Sequence, residues 1–377
     1  MKNNRTFLEK LLNGAEVEWK LLSLVSEMQR GKTITAKSTN EGKIPVISGG
    51  QKPAYYHSES NRDGKTITVA GSGAYAGYIM YWEEPIFVSD AFSIKTDESL
   101  LQIKYVYHFL LQNQQKIYAM KKGSGVPHVY PKDIGTLTIP IPPLSVQTEI
   151  VKILDALTAL TSELTSELTS ELILRRKQYE YYREKLLSEE ELGKVGFEWK
   201  PLGEVTNIKT GQAVSKYSIS QNPGIYPVIN SGREPLGFIN EWNTENDPIG
   251  ITTRGAGVGS ITWQEGKYFR GNLNYSVTVK SDYKLNIRFL YHILLHFQKE
   301  IHNLCSFTGI PALNASELKK LEISIPAIEE QQRIVSILDK FETLTNSITE
   351  GLPLAIEQSQ KRYEYYRELL LNFPGRE

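Results

Sequence analysis

Tyr179-Glu-Tyr-Tyr-Arg-Glu184 comes back, letter for letter, as Tyr363-Glu-Tyr-Tyr-Arg-Glu368. A word this rich in tyrosine does not recur by chance, so the chain carries an internal duplication. Working back from both copies, Ile150-Val-Lys-Ile-Leu-Asp155 matches Ile334-Val-Ser-Ile-Leu-Asp339, and Gln147 matches Gln331. Gly125-Val-Pro matches Gly309-Ile-Pro, and Tyr107-His-Phe-Leu-Leu matches Tyr291-His-Ile-Leu-Leu. Gly73-Ala-Tyr-Ala-Gly-Tyr-Ile matches Gly255-Ala-Gly-Val-Gly-Ser-Ile. Ile44-Pro-Val-Ile matches Tyr226-Pro-Val-Ile, and Val17-Glu-Trp-Lys matches Phe197-Glu-Trp-Lys. The offset drifts only between 180 and 184, so one unit is written twice, with a diverged early section and a closely matched late section. Leu8-Glu-Lys-Leu-Leu echoes Arg183-Glu-Lys-Leu-Leu, which predicts that the first helix sits beside the C-terminal one in a circular pseudo-twofold.

The bulk numbers set limits. The chain has 377 residues, enough for two or three domains, and 40% of them are hydrophobic. The single cysteine, Cys305, leaves no internal disulfide and fits a cytoplasmic location. No apolar run approaches the ~20 residues that span a bilayer, and the N-terminus lacks a signal-peptide core. The formal charge is zero, but it is unevenly spread: +4 over residues 1–140, −3 over 141–195, +2 over 196–325 and −3 over 326–377. Two mildly basic parts alternate with two acidic ones. The twenty-one tyrosines suit interfaces, since each joins a large ring to a polar tip.

The early sections read as mixed α/β and strand-rich. Lys65-Thr-Ile-Thr-Val, Tyr78-Ile-Met-Tyr-Trp and Pro85-Ile-Phe-Val-Ser are β-branched or aromatic runs fenced by turn residues. Ile249-Gly-Ile-Thr-Thr, Gly259-Ser-Ile-Thr-Trp and Tyr275-Ser-Val-Thr-Val do the same in the second copy. Helices are predicted over 103–120 and 287–304, each followed by a short strand. The late sections read as long helices. Val146 to Leu187 contains neither proline nor glycine, and apolar residues recur at steps of three and four from Ile150 to Leu168. Some forty residues at ~1.5 Å each reach roughly 60 Å, so this helix needs a partner, and its own duplicate from Glu329 is the obvious one. Gly351-Leu-Pro353 should break or kink that second helix. Leu160 to Leu172 spells Thr-Ser-Glu-Leu three times. A four-residue period overshoots the helical turn by about 40° per copy, so the leucine stripe should drift around the helix.

Catalytic motifs fail one by one. Gly71-Ser-Gly-Ala-Tyr-Ala-Gly lacks dinucleotide-loop spacing and reads as a turn between strands. Gly31-Lys-Thr and Gly64-Lys-Thr lack the first glycine of a phosphate loop, because Ser26 and Glu59 stand there. Glu18-Trp-Lys has no upstream aspartate to share a metal, so it reads as an opening strand. No His/Cys cluster has metal-ligand spacing, and no amino-methyltransferase motif is present. His108 and His292 lie among apolar neighbours and read as packing, whereas His128, in a turn-rich loop beside Lys121 and Lys122, fits a DNA contact and a plain loop equally well.

At this level of detail the whole chain resembles the specificity subunit of type I restriction-modification systems. The resemblance rests on Ile139-Pro-Ile-Pro-Pro-Leu-Ser-Val-Gln147 and Ile323-Ser-Ile-Pro-Ala-Ile-Glu-Glu-Gln331, on the Ile-Val-x-Ile-Leu-Asp helices, on the Tyr-Glu-Tyr-Tyr-Arg words, and on the four-residue repeat. The second half departs at Ser324 and Ala327, where prolines stand in the first. The resemblance implies an α/β fold class with two target recognition domains, residues 1–145 and 196–328. Two long antiparallel coiled-coil helices, 146–195 and 329–377, would separate them. It implies double-stranded DNA with a bipartite, asymmetric site as ligand. It also implies two modification subunits and two restriction subunits as partners, carrying S-adenosylmethionine, ATP and Mg. The chain itself would have no catalytic residue, metal or cofactor.

Loop context and charge select DNA-binding candidates: Arg30, Lys32, Lys37, Lys52, Tyr75, Lys121, Lys122, His128 and Lys132 in the first domain, and Lys209, Lys216, Asn230, Arg233, Arg254 and Arg270 in the second. Spacer and partner contacts are assigned to Leu160, Leu164, Leu168, Leu172, Tyr179, Tyr181, Tyr182, Tyr363, Tyr365 and Tyr366. An orphan protein of the same fold without a cognate partner is the alternative. A self-sufficient enzyme should show a motif that is missing, and a pure coiled-coil protein would not need two diverged basic domains.

Overall fold

The structure, a computed structural model, describes residues 7–232, 234–347 and 349–373. The chain divides into two compact units. The first contains the described residues up to Glu167 together with those from Ile356 onward; the second is Leu168–Ala355.

In the first unit Glu18–Leu21 pairs antiparallel with Thr138–Ile141, so the Glu-Trp-Lys word is indeed an opening strand. Ser26–Arg30, Ala91–Thr96, Thr66–Ala70 and Ile79–Trp82 form a four-stranded sheet in that order. Thr66–Ala70 is buried at every position, because strands flank it and both its faces are covered, which suits its β-branched run. A smaller sheet orders Tyr55–His57, Ile44–Ile47 and Phe87–Val88, the last two parallel. The second unit repeats the plan. Phe197–Pro201 pairs with Glu322–Pro326, and Thr206–Thr210, Asn274–Val279, Ile249–Thr252 and Ile261–Trp263 form the four-stranded sheet.

The predicted helices over 103–120 and 287–304 are each two. Ile103–Gln112 and Gln114–Ala119 break at Asn113, whose side-chain amide donates to the Phe109 carbonyl at 2.8 Å. Ile287–His296 and Gln298–Asn303 break at Phe297. The central helix is one element of 43 residues, Leu144–Leu186. Its duplicate is interrupted as predicted, into Ile328–Asn346 and Leu352–Leu371. Gly351 makes the break with φ 90°, and a Cβ there would lie 2.7 Å from the Thr343 carbonyl.

In the first unit Ile150 and Leu154 of the central helix share a core with Leu8, Leu12, Leu370 and Leu371, so the first helix lies beside the last. The Thr158 hydroxyl meets the Tyr363 hydroxyl at 3.2 Å, and an apolar groove runs between Ile153, Leu157, Tyr366, Leu369 and Leu370. Rising numbers on one helix face falling numbers on the other, so the two run antiparallel here. In the second unit Tyr182 stacks on Phe341, 5.4 Å between centroids, and Leu187 and Ile334 share one core. Leu12 and Leu192 are buried at matched positions ahead of the two opening strands, which sets the register of the circular repeat at the first helix more firmly than the Leu-Glu-Lys-Leu-Leu echo does.

The leucines of the repeat do drift. Leu160 is 62% exposed and Leu164 41%, while Leu168 and Leu172 are half-buried. Beyond Leu157 the more covered face includes Thr161, Thr165, Leu168, Leu172, Arg175 and Tyr179, in steps near a heptad, and Leu160 and Leu164 point off it. Among the described residues no helix is long and apolar enough to cross a membrane.

Candidate nucleic-acid interface

In the first unit the loops at one end of the four-stranded sheet converge. The glycine stretch is a turn, with Gly73 and Gly77 at φ 83° and 85°. Gly73 N donates to the Pro127 carbonyl at 3.0 Å, and Val129 N donates to the Gly71 carbonyl at 3.0 Å. Gly71 N reaches the Asp90 carbonyl at 3.1 Å, and Gly31 N reaches the Ala91 carbonyl at 2.9 Å. Segments distant in sequence thus place Arg30, Tyr75, Lys121, Lys122, His128 and Lys132 in one neighbourhood.

Tyr130, which charge-based selection misses, is the centre of that neighbourhood. The Arg30 guanidinium lies 5.5 Å from its ring centroid and the Lys132 ammonium 5.9 Å, within cation–π range. The His128 ring stacks on it at 6.0 Å and 10°. A cavity of about 150 Å³ opens among Arg30, Gly31, Asp90, His128 and Tyr130. Tyr75 stands exposed at the turn. Lys32 and Lys52 lie exposed on loops and Lys37 on the short 3-10 helix Ala36–Ser38, Lys32 donating its backbone N–H to the Val88 carbonyl. Arg30, Lys32, Lys37, Lys52 and Lys132 have no ion-pair partner among the described residues, so their charge is available to phosphate. Lys122 is less available, being paired with Asp133 at 2.7 Å. Lys121 donates to the Ala74 carbonyl at 3.1 Å and lies over Tyr118.

The second unit reproduces the backbone and changes the side chains. Gly255 N donates to the Pro311 carbonyl, and Leu313 N to the Thr253 carbonyl, as their counterparts do. Arg254 is exposed at the turn without an ion-pair partner among the described residues, and Phe307 and Ile310 stand exposed on the facing loop. Lys209 and Lys216 are exposed. Asn230 is half-buried and structural, since its Oδ1 accepts the Leu273 N–H at 2.9 Å. Arg233 lies outside the described residues.

Arg270 is a correction. It is 3% exposed and points inward, donating to the carbonyls of Asp247, Ile249 and Tyr275, to Asn274 Oδ1 and to the Tyr268 hydroxyl. Burial pulls its pKa below the ordinary arginine value, against the opposing pull of Tyr268 and Asp247. Val88 occupies the matched strand position in the first unit, so this guanidinium replaces a core side chain and cannot meet DNA.

Each unit also carries a histidine clamp. His108 Nε2 meets Asp155 Oδ1 at 2.9 Å, and His292 Nε2 meets Asp339 Oδ1 at 2.8 Å. These are the aspartates that close the two Ile-Val-x-Ile-Leu-Asp words, so each word pins the helix that follows the strands to a long helix. Burial lowers the His108 pKa, and the Asp155 hydrogen bond only partly opposes this. Burial works to raise the Asp339 carboxyl, but His292 and Arg288 outweigh it and leave it below its ordinary value. His292, Asp339 and Glu342 are close enough for a metal, yet Arg288 already pairs both carboxylates, at 2.8 and 2.6 Å. The matched glutamines are buried plugs. Gln147 accepts from Gln102 N and donates to the Leu100 and Pro142 carbonyls; Gln331 accepts from Asn286 N and donates to the Lys284 and Pro326 carbonyls. On the helices, Tyr179 and Tyr363 are buried, whereas Tyr181, Tyr182, Tyr365 and Tyr366 form exposed doublets.

Comparison with known proteins agrees in kind. The model of the type I restriction modification DNA specificity domain matches residues 16–173 and 194–358. A putative type I restriction enzyme specificity subunit of Haemophilus influenzae is 42% identical over 395 aligned positions, covering 99% of this chain and 100% of that one. A type I restriction enzyme specificity subunit of Escherichia coli is 32% identical, covering 98% and 97%. Among solved structures, the S subunit of a type I restriction-modification system from M. genitalium is 22% identical over 97% of this chain and 98% of that one, with a TM-score of 0.54. A chain from a structure of type I restriction-modification complex assembly is 18% identical over 94% and 97%, with a TM-score of 0.58.

Proposed function

The chain belongs to the type I restriction-modification DNA specificity family, and from that premise we propose how its parts divide the work. It is the recognition component of such a system, not the catalytic one, and it works in complexes with modification and restriction subunits. Each unit reads one half of a bipartite DNA site. One observation carries this: two loop clusters share a backbone plan but differ in chemistry, with Arg30, His128 and Tyr130 in one and Arg254, Phe307 and Ile310 in the other. Two unlike readers on one repeated scaffold give an asymmetric site. The unpaired cations take phosphates, and polar side chains in the cluster read base edges. With only +4 and +2 formal charge on residues 1–140 and 196–325, binding by this chain alone is modest and the partners add basic surface.

Exposed Leu160, Leu164 and the tyrosine doublets Tyr181–Tyr182 and Tyr365–Tyr366 support docking of two modification subunits on the helices. Two restriction subunits complete the assembly. S-adenosylmethionine, ATP and Mg belong to those partners. The test is co-expression with the cognate modification subunit and long-read mapping of methylated adenines. The expected motif has two different half-sites at a fixed gap. A single uninterrupted motif, or methyl transfer by this chain alone, would overturn the reading.

A further inference from the structure

Resting on that reading, we propose that Asp90 is a base-reading residue of the first unit, accepting a hydrogen bond from the exocyclic amine of an adenine or cytosine in the major groove. Asp90 lies at the turn between Phe87–Val88 and Ala91–Thr96, and it lines the cavity with Arg30, His128 and Tyr130. Its backbone is fixed by Gly71 N, and its Oδ2 is held by the Ser72 hydroxyl. Among the described residues nothing bonds Oδ1, and no cation pairs with the carboxylate although Arg30 lines the same cavity. The side chain is exposed in the free chain.

A carboxylate among phosphate-seeking cations repels the DNA backbone, and covering it without a donor is costly. In the major groove DNA offers donors only at cytosine N4 and adenine N6; guanine and thymine present acceptors there. An acid on this face therefore selects for an amine and against the other bases.

In the second unit the matching backbone bond forms without an acid. Thr253 N bonds the Leu273 carbonyl just as Gly71 N bonds the Asp90 carbonyl, so Leu273, in a turn one residue longer than that of the first unit, occupies the place of Asp90. Arg254 likewise occupies the place of Ser72, at the bridge to the facing loop. The backbone forms without the Ser72–Asp90 pair. A pair present in one reader and absent from its structural duplicate is placed where the half-sites must be told apart.

The experiment uses the full chain assembled with its modification subunit, after the wild-type motif is mapped. Duplexes are prepared in which each adenine or cytosine of the first half-site, other than the methylated base, is replaced singly by an analogue lacking the amine, and binding is measured by competition. One replacement should weaken wild-type binding about tenfold, the scale of a single base-edge contact, and it identifies the base as adenine or cytosine. Asp90→Ala removes the acceptor and should lose that discrimination at the same position, with the second half-site and the gap unchanged. Wild-type indifference to every amine deletion overturns the proposal, as does full discrimination by Asp90→Ala. Loss confined to replacing a guanine by inosine overturns it too, by placing the contact in the minor groove. If Asp90→Ala does not assemble, Ser72→Ala gives the same reading, since an unheld carboxylate should discriminate less. Absence of any bipartite motif in the wild type refutes the two-reader function instead, so the two failures are distinct.

Discussion

Deleting one word of the repeat, Thr161–Leu164, tests the helix as a ruler. The word lies inside the unbroken helix Leu144–Leu186. Four residues shorten it by ~6 Å and advance its phase by about 400°, a net rotation of only about 40°. The more covered face beyond Leu157 includes Thr161, Thr165, Leu168 and Leu172. After the deletion, Thr165, Leu168 and Leu172 follow Leu157 at steps of four, three and four, so the covered face stays in phase. Deleting only Thr161–Ser162 shortens the helix by ~3 Å but rotates everything downstream by about 200°. Leu168, Leu172 and Tyr179 then swing to the outer side; the two leucines are half-buried, so at about 1.5–3 kcal/mol for a fully buried apolar side chain the loss is a few kcal/mol. The assay is methylation mapping of each variant assembled with its modification subunit. With a rise of ~3.4 Å per base pair, the four-residue deletion should shorten the gap by about one or two base pairs and keep both half-sites. The two-residue deletion should give no assembled, methylating complex. An unchanged gap in the first variant, or equal tolerance of the second, refutes the reasoning.

Other outcomes follow from the same geometry. Gln147→Leu strands Gln102 N and the Leu100 and Pro142 carbonyls, and should cost about 3 kcal/mol in thermal unfolding; a change under about 1 kcal/mol would show that these bonds are not needed. His108 is held below its ordinary value by burial, so the unfolded chain takes up the proton first as pH falls. The histidine's stabilising contribution is complete above about pH 6.5 and is lost as pH drops through the lower folded value; His108→Gln should flatten that part of the Tm–pH curve, and an unaltered curve would count against the clamp. Arg254→Ala should weaken DNA binding of the assembled complex and reduce its salt dependence by about one phosphate contact, with Tm unchanged. Arg270→Ala should instead lower Tm by unseating a buried hydrogen-bond network. The opposite pattern would place Arg270 at the DNA.

Duplication, helix length and the break at Gly351 were legible in the amino-acid order alone. A repeated word, a run without proline or glycine, and a glycine followed closely by a proline each act through backbone geometry within a few residues. The absence of a catalytic motif was equally local. Which charges face outward was not legible. Arg254 and Arg270 look alike on paper, yet one stands at an open turn and the other threads into the core beneath Tyr268, because the strand pairing of Ile229 with Arg270 turns that side chain inward. Tyr130 and Asp90 gave no signal, one because it is uncharged and the other because its charge has the wrong sign for phosphate; only convergence of loops far apart in sequence sets them beside Arg30. The face of the central helix that is covered was also a tertiary matter, since the leucine period and the helical turn disagree by about 40° per word, and packing follows the turn. Local order determined the elements and their repetition; the meeting of distant segments decided which side chains are free to read.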